Sequence, residues 1–402
     1  PSAWSISSAD QPNRRESRMV DEKIKSEPDL SAIAASYVRS RPWPYRRYMA
    51  SVGIPIQTGY YVEDLRKVEL GWWEDRQCNA AFLELAGAEG ISESRLTQIP
   101  PGATLPPLKF ALDEVVYIVQ GRGLTTIWGD DENNKKTFEW DKNSMFLIPR
   151  GHTHQFSNAQ GDSPALLLHY NCLPLVMATL PDPNFYFNNP LDTLDRLDEG
   201  EGSFYSPAIA AQINDSSLTF GVRHIWFGNF FPDMRSWDKL AAHTMRGVGA
   251  SAVYVQFPGS EMAAHMSVFP ARTYKKAHRH GPSFVIVIPA GEGFSYMWAE
   301  GKEKIVFPWT EASLFVPPDR WFHQHFNVGT TSARYLAFHP PVQFEGWAEE
   351  IQDRLRDQIE FIDEDPVVRQ TFEAELAKRG MISEMPPEIY TDPDFKPPQV
   401  PD

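Results

Sequence analysis

One pattern of residues occurs twice in this chain. Gly121-Arg122-Gly123 is matched by Gly291-Glu292-Gly293 at an offset of 170, and Pro149, His154 and Asn158 are matched by Pro318, His323 and Asn327 at an offset of 169. A repeat at a fixed spacing means one structural unit used twice. Around the first copy, residues 79–171 form short apolar alternations broken by Gly, Pro, Asn and Asp. Val115 to Val119 stops at Gly121, Leu124 to Trp128 at Gly129-Asp130-Asp131, and Met145 to Ile148 at Pro149-Arg150-Gly151. That rhythm predicts an antiparallel sandwich or barrel. The 402 residues exceed one ordinary core and fit two domains of about 150 residues with added segments.

Composition narrows the partners. A formal charge of -15 with a pI near 5.2 argues against nucleic acid, because phosphate binding needs clustered Lys and Arg that release counterions. No apolar run approaches the 18 residues that would span a bilayer, so no membrane partner is expected. Cys78 and Cys172, the two cysteines, cannot build a disulfide framework and read as buried thiols in a reducing cytoplasm. Residues 1–27 are polar and charged, without the apolar core of a signal peptide.

The flanks carry helix signals. Asp29 can cap a helix reaching Val38, which Arg41-Pro42-Trp43-Pro44-Tyr45 then breaks. An aromatic, proline-rich arm of this kind packs over a neighbouring surface, a subunit interface in a homo-oligomer being one place for it. Pro181 to Asp215 reads as a linker, with a short helix over Ser236 to Ala242. Phe344, Trp347, Ile351, Leu355 and Ile359 recur at helical spacing. Asp365 and Pro366 open a further helix over Val367 to Arg379, which Gly380 ends.

Chemistry concentrates at Ala277-His278-Arg279-His280-Gly281 and at Val316 to Asn327. Two histidines separated by one residue share a strand face, so His278 and His280 can hold one metal ion. His323, 43 residues beyond His280, supplies a third nitrogen. Four of the 11 histidines fall in these two segments. Three neutral imidazoles without thiolates suit iron, nickel, copper or zinc.

These residues resemble the cupins. Pro149-x-Gly151-x-x-His154-x-x-x-Asn158 and its partner Pro318 to Asn327 look like the second cupin motif, and His278-x-His280 looks like the start of the first. Residues 95–175 and 250–342 are covered, so the chain resembles a bicupin. The resemblance implies an all-β chain of two jelly-roll barrels with short N-terminal and C-terminal helical extensions. It divides the chain into a tail and arm (1–78), an N-terminal cupin (79–180), a linker region (181–245), a C-terminal cupin (246–342) and C-terminal helices (343–402). In the N-terminal copy Leu108 and Phe110 replace the two histidines while Glu114 and His154 remain, which implies a metal-free barrel. In the C-terminal copy Phe284 stands at the glutamate position, which leaves three histidines.

Three-histidine cupins include ring-cleaving dioxygenases of the gentisate and salicylate type. His278 to Ser283 looks like their first motif, and Trp321-Phe322-His323-Gln324-His325-Phe326-Asn327-x-Gly329 looks like their second. The resemblance implies Fe(II) on His278, His280 and His323, with His325 contacting the substrate hydroxyl or bound oxygen; an outward-facing strand histidine is the other reading of His325. The family's carboxylate-holding arginine is replaced by Ile286. Arg272, Lys275, Lys276 and Arg320 are the cations nearby. Arg272 has the parity to share the histidine face, an exposed strand charge being its other reading, and Trp321 is the aromatic candidate for substrate contact. The implied function is an Fe(II) dioxygenase that uses O2 to cleave a C–C bond of a small hydroxy- or amino-substituted aromatic. The alternatives are a cupin isomerase, lyase or decarboxylase with Mn, Ni or Zn as Lewis acid, or a non-catalytic small-molecule binder.

Overall fold

A computed structural model describes residues 42–189, 204–212, 224–236, 241–242, 246–281, 284–340 and 357–396. The chain is all-β, and each half is a pair of facing sheets. In the first half the large sheet orders Ile56–Gly59, Cys78–Leu85, Glu93–Ile99, Ala165–Asn171, Glu114–Gln120, Met145–Ile148 and Phe230–Phe231, and the small one orders Leu108–Lys109, Thr153–Asn158, Gly123–Trp128 and Lys136–Trp140. The second half repeats this with Ser251–Gln256, Ala263–Phe269, Ala333–His339, Val285–Ala290 and Leu314–Phe315 against Ile305–Trp309, Gly293–Trp298, Phe322–Asn327 and Ala277–His278. Neighbours distant in sequence give Greek-key crossings, and each pair of sheets closes into the expected jelly-roll barrel.

The repeated motif residues build turns. Gly121 and Gly291 sit at φ 92° and 103°, in the region that glycine alone adopts without strain, and a Cβ on either would lie 2.8 or 2.7 Å from the Cα of Ala165 or Ala333. Asn158 donates through Nδ2 to the carbonyls of Ile99, Pro100 and Ser163, and Asn327 repeats this with Phe269, Pro270 and Thr331.

The duplicated unit starts before residue 79. Tyr61–Val62 leaves the first half to pair with Phe315 and Leu314 of the second, while Phe230–Phe231 pairs with Phe146 and Met145 of the first. Both exchanged strands and their acceptors are related by the same offset of 169. The following turns match as well: Asp64 caps Arg66 N and Leu65 N donates to Ala312, as Asp233 accepts from Arg235 N and Met234 N donates to Asn143. Between the large sheets lies one core of Leu96, Val115, Leu168, Val253, Met266 and Leu336, across which Tyr170 stacks on Phe338 with ring centroids 5.0 Å apart.

Several flanking expectations change. The proline-rich arm forms a helix, Pro44–Val52: Pro44 occupies the first turn, where its missing N–H costs nothing. The helix buries Tyr45, Tyr48 and Met49 against Phe82, Leu173 and Met177, so the neighbouring surface is the chain's own first barrel. The linker contains the helix Pro183–Phe187 and the strand Ile209–Gln212, and Ala241–Ala242, expected as helix, is a strand beside Ser251–Gln256. Residues 29–38 and 344–356 lie outside the described residues; Ile359 belongs to a strand, Gln358–Ile359, that extends the small sheet beside Ala277–His278. Cys78 is buried, Cys172 is half-buried, and neither forms a disulfide. Among the described residues no helix is long and apolar enough to cross a membrane.

The C-terminal helix Pro366–Ala377 lies near its expected bounds, and Asp365 accepts from Val367 N at 3.0 Å. It lays Val368, Phe372 and Leu376 over Phe326 and Tyr274 on the outer face of the small sheet. Asp365→Ala is expected to lower the stability of this docked segment by about 1 kcal/mol, measured as a lower denaturant midpoint for its unfolding.

Candidate metal centre

His278 lies on the short strand Ala277–His278, directly opposite His323 on Phe322–Asn327. Side chains alternate from there. Arg279 turns outward to Asp357 at 2.9 Å and Glu300 at 2.7 Å, and His280 turns back inward. The three histidines each offer a nitrogen within 4.8 Å of the other two, and the ring centroids of His278 and His323 are 4.3 Å apart. His278 and His323 are buried and His280 half-buried.

The ring orientations are fixed by the backbone. His278 Nδ1 lies 2.9 Å from the Lys276 carbonyl and His323 Nδ1 3.2 Å from the Trp321 carbonyl. A carbonyl only accepts, so Nδ1 carries the proton and Nε2 keeps its lone pair, as metal-bound histidines require. Burial, and after it the charge of Arg246 for His278 and the neighbouring His325 for His323, hold both rings well below the usual histidine range. They are neutral near pH 7, which is the ligating form.

His325 points to the same side of the strand as His323. It is buried, with Nδ1 2.8 Å from Ser295 Oγ and its ring centroid 4.6 Å from that of Tyr335, so it faces the barrel interior and the outward-facing reading is set aside. Phe284 lies where the resemblance places a glutamate. Its ring centroid is 4.7 Å from His280 and it stacks on His339 at 4.2 Å. Trp321 is half-buried, with its ring 5.4 Å from Tyr60, and supplies the carbonyl that orients His323.

The expectation that Arg272 shares the histidine face is corrected. Arg272 sits in a turn at φ 57°, ion-paired with Glu384. Tyr274 pairs with Phe326 and His278 with His323, so four steps on one strand face three on the other. This is a β-bulge, and it reverses the parity on which the Arg272 reading rested. Lys275 is turned inward instead, where its Nζ donates to Ser267 Oγ at 2.8 Å. Lys276 pairs with Glu360 and Arg320 with Asp357 on the outside.

The N-terminal barrel uses the corresponding space differently. Leu108 faces His154 as His278 faces His323. Glu114 is held by Arg95 at 3.0 Å, His169 at 2.8 Å and Asn171 at 3.0 Å, all buried. Burial alone would raise the Glu114 carboxyl, but His169 and Arg95 hold it well below its ordinary range. Arg95 thus supplies the buried positive charge that compensates Glu93 and Glu114. In the C-terminal barrel the positions of Glu114, Arg95 and Asn171 are Phe284, His265 and His339, the last two joined by a 2.7 Å ring-to-ring hydrogen bond. Among the described residues His278, His280 and His323 form the one group with metal-ligand geometry.

No protein-family model matches the chain, and no curated protein matches it. Solved structures do. The chain is similar to the oxalate decarboxylase of Bacillus subtilis at 10% identity and TM-score 0.43, over 70% of this chain and 76% of that one. It is similar to the 7S globulin of Momordica charantia at 13% identity and TM-score 0.43, over 69% and 83%. Neither likeness assigns a metal or a reaction to this chain.

Proposed function

We propose that the C-terminal barrel holds one iron(II) on His278, His280 and His323 and uses O2 to cleave a C–C bond of a small hydroxy- or amino-substituted aromatic compound. The supporting observation is the convergence of three oriented, neutral imidazoles with Phe284 in place of a carboxylate. A neutral set of three leaves coordination positions for two substrate atoms and dioxygen. Iron bound there would supply shared coordination of both reactants and electron transfer between them. The protein's part is positional: Phe284 and Ile286 keep water from the reacting ring, and His325, fixed through Nδ1 by Ser295, presents Nε2 as a hydrogen-bonding and proton-holding atom.

In the same reading the chain is a cytoplasmic homo-oligomer acting on small molecules, without nucleic-acid or membrane partners. Elemental mass spectrometry of protein purified without added metal, followed by an oxygen-uptake screen of dihydroxybenzoates, aminophenols and dicarbonyls, tests the activity. The expected result is about one iron per chain and uptake of one O2 per substrate consumed. Zinc, nickel or manganese with no oxygen uptake would replace the dioxygenase with a Lewis-acid isomerase, lyase or decarboxylase.

A further inference from the structure

Every other described cation of the segment leading to the metal centre has an acidic partner. Arg272 pairs with Glu384, Lys276 with Glu360, Arg279 with Asp357 and Glu300, and Arg320 with Asp357. In the N-terminal network the buried guanidinium of Arg95 lies between Glu93 and Glu114. Lys275 differs. It is 7% exposed, its Nζ donates to the Ser267 hydroxyl at 2.8 Å, and among the described residues no carboxylate accompanies it. Burial, and after it the charge of Arg246, push its ammonium down to about 7. A charge removed from water without a counter-ion is costly and is kept where a ligand supplies the missing charge.

The lysine is placed for such a ligand. Its backbone N–H donates to the His325 carbonyl at 3.0 Å, and its charge acts on His278, His323 and His325 together. Ser267, Phe269, Ser295 and Tyr335 belong to strands facing the same interior. We propose that Lys275, with Ser267, is the substrate's anion anchor, so that the molecule bound at the three histidines carries a carboxylate. This rests on the metal centre proposed above and supplies, from another strand position, the cation that Ile286 does not. One positive charge beside one hydroxyl matches a singly charged carboxylate, and the β-bulge is what turns the side chain inward.

The test is anaerobic calorimetry on the iron-loaded full chain, with salicylate against salicylamide, benzoate against benzamide, and inorganic phosphate as a control anion. Wild-type protein is expected to bind each acid about tenfold or more tightly than its amide, the size of one charge-assisted contact. Lys275→Met is expected to abolish that preference while keeping its iron. The ligand-free variant should melt at or above the wild-type temperature, because Met fills the space without an uncompensated charge; a structural lysine would give a lower melting temperature. Equal affinity for acids and amides, no binding of any probe, tighter binding of phosphate than of the acids, or a preference that survives Lys275→Met would overturn the anchor. Elemental analysis of the same samples separates the two ideas. Iron without acid preference removes the lysine's role alone, and acid preference without iron removes the histidine site alone.

Discussion

Replacing His280 with alanine is expected to reduce bound metal from about one ion per chain to less than about a tenth of that. The two rings left behind, His278 and His323, face each other across one register pair, and two neutral imidazoles hold a divalent ion weakly. The fold should survive the change. His280 is half-buried, and its backbone carbonyl accepts from Arg320 N at 3.0 Å whatever the side chain. His323 would be a poorer choice, since it is buried in a strand pairing with both Ala277–His278 and Gly293–Trp298. Metal content by elemental mass spectrometry and melting temperature of the metal-free protein are the two readouts. Wild-type metal content in His280→Ala would place the ion elsewhere.

What the sequence made legible was local. Alternation along a strand put His278 and His280 on one face because the segment is extended there, and the asparagine and glycine spacings marked turns that both halves share. The parity that puts Arg272 on the histidine face fails because a single extra residue reverses the parity of everything before it, and nothing in Arg-Thr-Tyr-Lys-Lys announces a bulge. The exchanged strands Tyr61–Val62 and Phe230–Phe231 have two residues each, too few for any periodicity. A signal existed nonetheless in Asp64-Leu65-Arg66 and Asp233-Met234-Arg235, 169 positions apart. Pro44 has the look of a breaker in the sequence, although the first turn of a helix is where proline fits. Arg95, Glu114 and His169 lie on three strands, and only the folded sheet brings them together.

That last cluster sets the second large effect. Glu114→Ala is expected to destabilise the N-terminal barrel by about 3–5 kcal/mol, the cost of breaking a buried ion pair from one side, and to leave metal content unchanged. Arg95 would keep only Glu93, at 2.6 Å, while His169 and Asn171 would each lose a hydrogen bond to the missing carboxylate. The effect should depend on pH in a fixed direction. The folded carboxyl titrates below its unfolded value of 4.5, so its stabilising contribution is complete above that value and is lost as pH falls through the folded one. The difference between wild type and Glu114→Ala in urea denaturation should therefore be full at pH 7 and shrink below about pH 4. Adding Arg95→Met to Glu114→Ala leaves the buried Glu93 carboxylate, among the described residues, with only Tyr45 Oη and Asn171 Nδ2 as donors, so the double variant should be less stable still, by less than the sum of the two single losses because Arg95 and Glu114 share one ion pair. Additive losses in the double variant would mean that Arg95 stabilises the barrel through packing against Trp73, whose ring lies 5.5 Å from its guanidinium, and not through its charge.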